Sequence, residues 1–128
     1  MNCPVCDQSI IALELDQVEV DHCVHCGGAW LDAGELELLL EGTEYRDRLL
    51  ASMREAGVVA EPVRLCPICD KKMQKVLMGI DGQVMIDKCT RDHGLWLDGG
   101  ELARIVNMGR VKSESKVVEL LREVFGAE

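Results

Sequence analysis

Large rings are scarce in this chain, with two tryptophans, one tyrosine and one phenylalanine among 128 residues. That scarcity excludes a large aromatic core and leaves few platforms on which nucleic-acid bases could stack. Proline occurs three times, and no apolar run approaches the roughly 20 residues of a membrane-spanning helix. The first residues lack the basic-then-apolar order of a secretion leader. Basic residues are also in deficit: 14 Lys and Arg stand against 23 Asp and Glu, for a formal charge of -9. Phosphate contacts need clustered cations, so nucleic-acid binding starts at a disadvantage. The one local basic surplus, Lys71, Lys72, Lys75, Lys88 and Arg91, reads as solvated strand and loop residues. No Ser/His/Asp constellation and no phosphate-cradling glycine loop is present, which removes the commonest enzyme signatures.

What the chain does have is seven cysteines and an internal repeat. The stretch Cys23–Leu36, CVHCGGAWLDAGEL, returns at Cys89–Leu102 as CTRDHGLWLDGGEL. Each copy lies downstream of a second pair, Cys3-Pro4-Val5-Cys6 and Cys66-Pro67-Ile68-Cys69. Two knuckles whose sulfurs face one point complete a tetrahedron, and soft thiolate donors select zinc. An odd number of cysteines would leave a disulfide framework unbalanced, whereas seven cysteines plus His93 make two full ligand sets. The first set is Cys3, Cys6, Cys23 and Cys26; the second is Cys66, Cys69, Cys89 and His93. In the second copy Asp92 stands opposite Cys26, so a C-x3-H spacing must replace C-x2-C, with Asp92 the competing oxygen ligand. His22 and His25 flank a complete cysteine pair and read as exposed knuckle residues. Two zinc ions per chain follow. Counting seven thiolates against two divalent ions takes the formal charge from -9 to about -12.

Around these ligands the pattern predicts a small α+β metal-stapled protein made of two tandem zinc ribbons, residues 1–61 and 62–128. Each ribbon is a short β-hairpin followed by amphipathic helices. Halves of roughly 60 residues bury too little surface to stand without such a staple. Residues 10–15 with 17–21, and 73–78 with 83–87, read as the hairpins, the second turning at Asp81-Gly82. After each Trp-Leu-Asp comes a helix. Asp32 with Glu35, and Asp98 with Glu101, have the D-x-x-E form of a capping box and read as helix-capping residues rather than a catalytic pair. Gly34 and Gly100 in the first turn suggest close approach to the ribbon, and Trp30 and Trp96 form the ribbon cores. Further helices are expected over 44–56, with Tyr45, Leu49, Met53 and Ala56 on one stripe, and over 115–125, with an extended linker over 58–65.

The run CPxC, a cysteine-led knuckle and GxWLDxGEL resembles the bacterial zinc-ribbon family named for the zinc finger of transcription factor IIB, here in tandem. The resemblance covers residues 3–40 and 66–106 and implies a structural zinc ribbon without an assigned activity. Three function classes follow. The first is a non-enzymatic, zinc-binding adaptor that meets a protein partner, or itself, through its amphipathic helices. The second is a nucleic-acid-binding transcription regulator, and the third a thiol redox sensor or zinc-handling protein. Membrane and small-molecule partners have no support in the sequence, and free thiolates point to the reducing cytoplasm.

Overall fold

The computed structural model describes residues 1–15, 17–41, 46–79 and 83–108. Each repeat opens with a knuckle loop whose ends close in an isolated bridge, Asn2 with Ser9 in the first and Leu65 with Lys72 in the second. An antiparallel hairpin follows. In the first repeat β1 (Ile11–Leu15) pairs with β2 (Val18–His22), and in the second β5 (Gln74–Met78) pairs with β6 (Val84–Lys88). These spans agree with the period-2 patterning to within a residue or two. The expected Asp81-Gly82 turn lies outside the described residues.

A third strand in each repeat was not legible as such: β3 (Ala29–Asp32) and β7 (Gly94–Leu97) begin just beyond the second knuckle. They pair with each other, Trp30 opposite Trp96 and Ala29 opposite Leu97. Together with β4 (Arg54–Glu55), one seven-stranded antiparallel sheet results among the described residues, in the order β1-β2-β3-β7-β6-β5-β4. The same step along the chain carries Cys23 to Cys89, Gly28 to Gly94 and Trp30 to Trp96, so the register relates the repeats by an approximate twofold at the tryptophan pair.

Side chains alternate across a strand, and both central strands are buried on both faces. Ala29, Leu31 and Leu97 join one core with Leu15, Val20, Ile86, Leu102, Ile105 and Val106. Trp30 and Trp96 point the other way and join Cys3, Cys23, Cys66, Cys89 and Met73. The aliphatic core lies under the helices and the second core is built around sulfur. Burying two whole indoles supplies about 3–5 kcal/mol each against truncation to alanine.

Among the described residues the helices are few and short: α1 (Glu35–Leu39), α2 (Arg46–Ala51) and α3 (Glu101–Met108). The expected helix over 44–56 is corrected on two points. It ends at Ala51, and Arg54–Glu55 form a strand, β4, that pairs with β5. The unpaired groups along the outer edge of β5 satisfy this backbone better than another helical turn would. Met53 and Ala56 therefore lie off the predicted stripe. Tyr45 and the helix expected over 115–125 lie outside the described residues. The apolar faces of α1 and α3 are occupied by the protein's own core, where Leu36, Leu39, Leu102, Ile105 and Val106 are buried.

Candidate metal centres

Each knuckle reverses the chain sharply enough to bring two donors to one side. Three of the four reversals use a left-handed residue just after the second cysteine: Asp7 (φ 62°), Gly27 (φ 84°) and Asp70 (φ 61°). In the fourth, the left-handed position is Asp92 (φ 62°), immediately before His93. Glycine and aspartate tolerate this conformation best. Backbone amides then converge on the sulfurs, Val5 N–H on Cys3 at 3.3 Å, Ile68 N–H on Cys66 at 3.4 Å and Arg91 N–H on Cys89 at 3.4 Å.

The geometry gathers both predicted ligand sets. Donor atoms of Cys3, Cys6, Cys23 and Cys26 lie within 4.8 Å of one another, and so do those of Cys66, Cys69, Cys89 and His93. Sulfur separations are 3.5 Å for Cys3 to Cys26, 3.4 Å for Cys6 to Cys23 and 3.7 Å for Cys69 to Cys89. The Nδ1 atom of His93 stands 3.4 Å from the Cys89 sulfur. A tetrahedron with zinc–sulfur bonds of about 2.3 Å has edges of about 3.8 Å. The donor sets therefore fit two zinc ions with little adjustment.

Asp92, the competing ligand, is not part of the second set. Its carboxylate pairs with Lys88 at 2.9 Å and is 79% exposed. The single-residue shift of the left-handed position turns His93 inward and Asp92 outward. His25 is exposed and outside the first set, whereas His22 departs from expectation. It is buried, with Nδ1 3.2 Å from the Gly28 carbonyl oxygen.

Electrostatics single out one thiol per site. Burial pushes Cys89 up, but amides of His93 and Arg91 and the neighbouring thiols outweigh it and hold the group down to about 6. Cys23, its counterpart, is held down to about 7 against burial by amides of Cys26 and His25 and by the Cys6 thiol. Burial pushes Cys66 up to about 11. The leading cysteine of each second knuckle is thus the readiest to present a thiolate.

The capping residues take a different form from the one predicted. Glu35 and Glu101 do reach back, each accepting the N–H of Asp32 or Asp98 at 2.7 Å. The aspartate carboxylates, however, accept the indole N–H of Trp30 at 2.9 Å and of Trp96 at 3.0 Å. The N-cap of α1 is Gly34, without a side-chain cap bond. A buried indole N–H needs an acceptor, and that need outranks the helix amides. Gly34 (φ 93°) and Gly100 (φ 85°) supply left-handed turns. Gly34 has open space where a Cβ would stand, so close approach is not its role.

Close approach belongs instead to Gly28 and Gly94, the glycines that head the GxWLDxGEL run and whose spacing alone suggested no such role. A Cβ at Gly28 would overlap the ring of Trp96, and one at Gly94 would stand 2.7 Å from Cζ2 of Trp30. The signal that could have found them is a glycine two residues before the tryptophan in both copies.

Lys75 also departs from its reading as a solvated residue. It is buried, with Nζ 2.6 Å from Asp87 and 3.2 Å from Glu61. Arg64 Nη1 holds both carboxylate oxygens of Asp98, at 2.6 and 2.8 Å, and lies 3.5 Å from Asp87.

A sequence family described as transcription factor zinc-finger matches residues 2–42 and 65–108, which together make up well over half the chain. No curated protein and no solved structure matches it.

Proposed function

The chain belongs to the transcription factor zinc-finger family, and from that premise we propose that it is a non-enzymatic adaptor, its two zinc ions serving to hold a surface for a protein partner. The observation that carries this reading is the closure of both donor sets. Four protein ligands at each site leave no coordination position for a substrate water.

The contact surface lies on the knuckles. Of the nine large apolar residues exposed among the described residues, Val5, Val24, Leu65 and Ile68 sit on or beside a knuckle. Knuckles fixed by metal display such residues without the ordering cost of a flexible loop. The helices offer less, because Leu36, Leu39, Leu102, Ile105 and Val106 of α1 and α3 are buried in the core and, among their described apolar residues, only Leu38 stands exposed. A transcription-related assembly agrees with the family description.

Duplex binding is disfavoured by the charge of -9 and by the engagement of Arg64, Lys75 and Lys88 in ion pairs. The test is affinity capture from the native cell with the wild type and with Val5→Ser/Ile68→Ser. The expected result is a partner that is lost with the double variant while both zinc ions remain. Tight duplex DNA binding that weakens steeply with salt would overturn the proposal.

A further inference from the structure

Each ligand-bearing second knuckle is closed by a hydrogen bond between its first and last residues. Cys23 N–H donates to the Gly28 carbonyl at 3.0 Å, and Cys89 N–H donates to the Gly94 carbonyl at 3.1 Å. The closing glycine is covered, in both cases, by the tryptophan of the other repeat: Trp96 lies on Gly28 and Trp30 lies on Gly94. Each tryptophan is in turn fixed through its indole N–H by Asp32 or Asp98.

Two further contacts cross the same seam. Ala33 N–H donates to the carbonyl of the ligand His93 at 3.0 Å. Gly27 faces Gly99, where an added Cβ would meet the opposite Cα at 3.7 Å. The turn that carries two ligands of one site therefore rests on residues of the other repeat, reciprocally, through a single strand pair.

We infer that Trp30 and Trp96 are positioning residues for the zinc site of the opposite repeat, so that loading either site strengthens the other. The physical basis is shared ordering. Zinc fixes a knuckle only if the knuckle's backbone is brought to one conformation, and that ordering opposes binding. A knuckle already closed at Gly28 gives Trp96 its seat. The seated tryptophan fixes β7, whose first residue, Gly94, closes the other knuckle at Cys89. Filling one site removes part of the ordering cost at the second, which is positive coupling, and by linkage the coupling is equal in both directions. Couplings of this kind amount to roughly 5- to 150-fold in affinity.

The first experiment uses the full chain under reducing conditions and reads zinc retention at the all-cysteine site by competition with a series of chelators. His93→Ala touches no ligand of that site. A loss of fivefold or more in first-site affinity is expected; a smaller change overturns the coupling.

The second experiment separates positioning from general core packing, using cobalt(II) in place of zinc. A tetrahedral cobalt site with four thiolates absorbs differently from one with three thiolates and an imidazole, so the spectrum tells which site empties. Relative to wild type, Trp96→Leu is expected to speed release from the first site more than from the second, and Trp30→Leu the reverse. Trp96→Phe, which keeps a ring over Gly28, is expected to restore most of the first-site retention. Faster release from the variant's own repeat, or equal release from both sites, would overturn the assignment of the tryptophans.

Discussion

The two repeats share a fold and a four-donor knuckle set but place their matching acids differently: Asp87 of the second is buried, whereas in the first Asp21 is half-buried and Asp32 exposed. In the second, Asp87 is held by Lys75, Asp98 is gripped by Arg64, and Glu61 lies over the same lysine. In the first, Asp21 and Asp32 occupy the equivalent places, and among the described residues neither has an ion-pair partner. Burial, then Asp32 and Glu19, push Asp21 above the ordinary carboxylate range. The position facing Asp21 across the hairpin is Ala12, where the second repeat has Lys75 facing Asp87. One duplicated framework thus carries an acid cluster held by ion pairs and, among the described residues, one without them. Charge compensation is therefore not what specifies the ribbon. The metal ligands and the tryptophan seam are common to both halves, and the ion pairs are an addition to one.

Removing the element common to both repeats has the largest expected effect. Stripping both zinc ions is expected to unfold both repeats, whatever their ion pairs, because structural zinc contributes on the order of 10 kcal/mol per site in small domains. Tryptophan fluorescence and far-ultraviolet circular dichroism across a chelator series check this.

Next in size is the buried pair itself. Lys75→Met removes the cation nearest Asp87, whose side chain is 3% exposed, and is expected to cost roughly 3 kcal/mol in urea denaturation. Asp21→Asn, the matching disturbance in the first repeat, is expected to be neutral or slightly stabilising. A large loss from Asp21→Asn would show that the first cluster has a compensation of its own.

The comparison can also be sharpened by transplanting the lysine. Ala12→Lys places a cation opposite Asp21 in the register of Lys75 and Asp87. Ala12 is exposed, so the gain is expected to stay below about 1 kcal/mol.

The smallest effect is a pH dependence. Burial first, then neighbouring acids, push Glu35 and Glu101 up to about 7 from the ordinary 4.5. With the folded value above the unfolded one, the folded chain binds the extra proton between about 4.5 and 7. Stability from these groups therefore falls as pH rises through that window and is lowest above it. Glu35→Gln keeps an acceptor for the Asp32 N–H and loses the charge. Its melting temperature is expected to exceed that of the wild type by a degree or two at pH 8, with the difference vanishing near pH 4.5. An equal shift at both pH values would locate the gain elsewhere.

Features that depend on local spacing were legible in the order of residues. Four donors at knuckle spacing, written twice, point to two zinc sites, because a C-x2-C turn aims its sulfurs without help from distant residues, and leave His93 against Asp92 open at the second. Period-2 alternation located β1, β2, β5 and β6, and the C-x3-H spacing marked the second knuckle of the second repeat as different. Features that depend on partners far along the chain came only with the folded arrangement. Joining β3 to β7 lays each tryptophan on the other repeat's glycine. That burial calls for an acceptor for the indole N–H, which draws Asp32 and Asp98 away from capping. The open edge of β5 turns Arg54–Glu55 from expected helix into strand, and the register opposite Asp87 buries Lys75. None of these is written in a window of ten or fifteen residues. Strand pairing between repeats is a non-local contact, and the choices that follow from it are fixed only when the two halves meet.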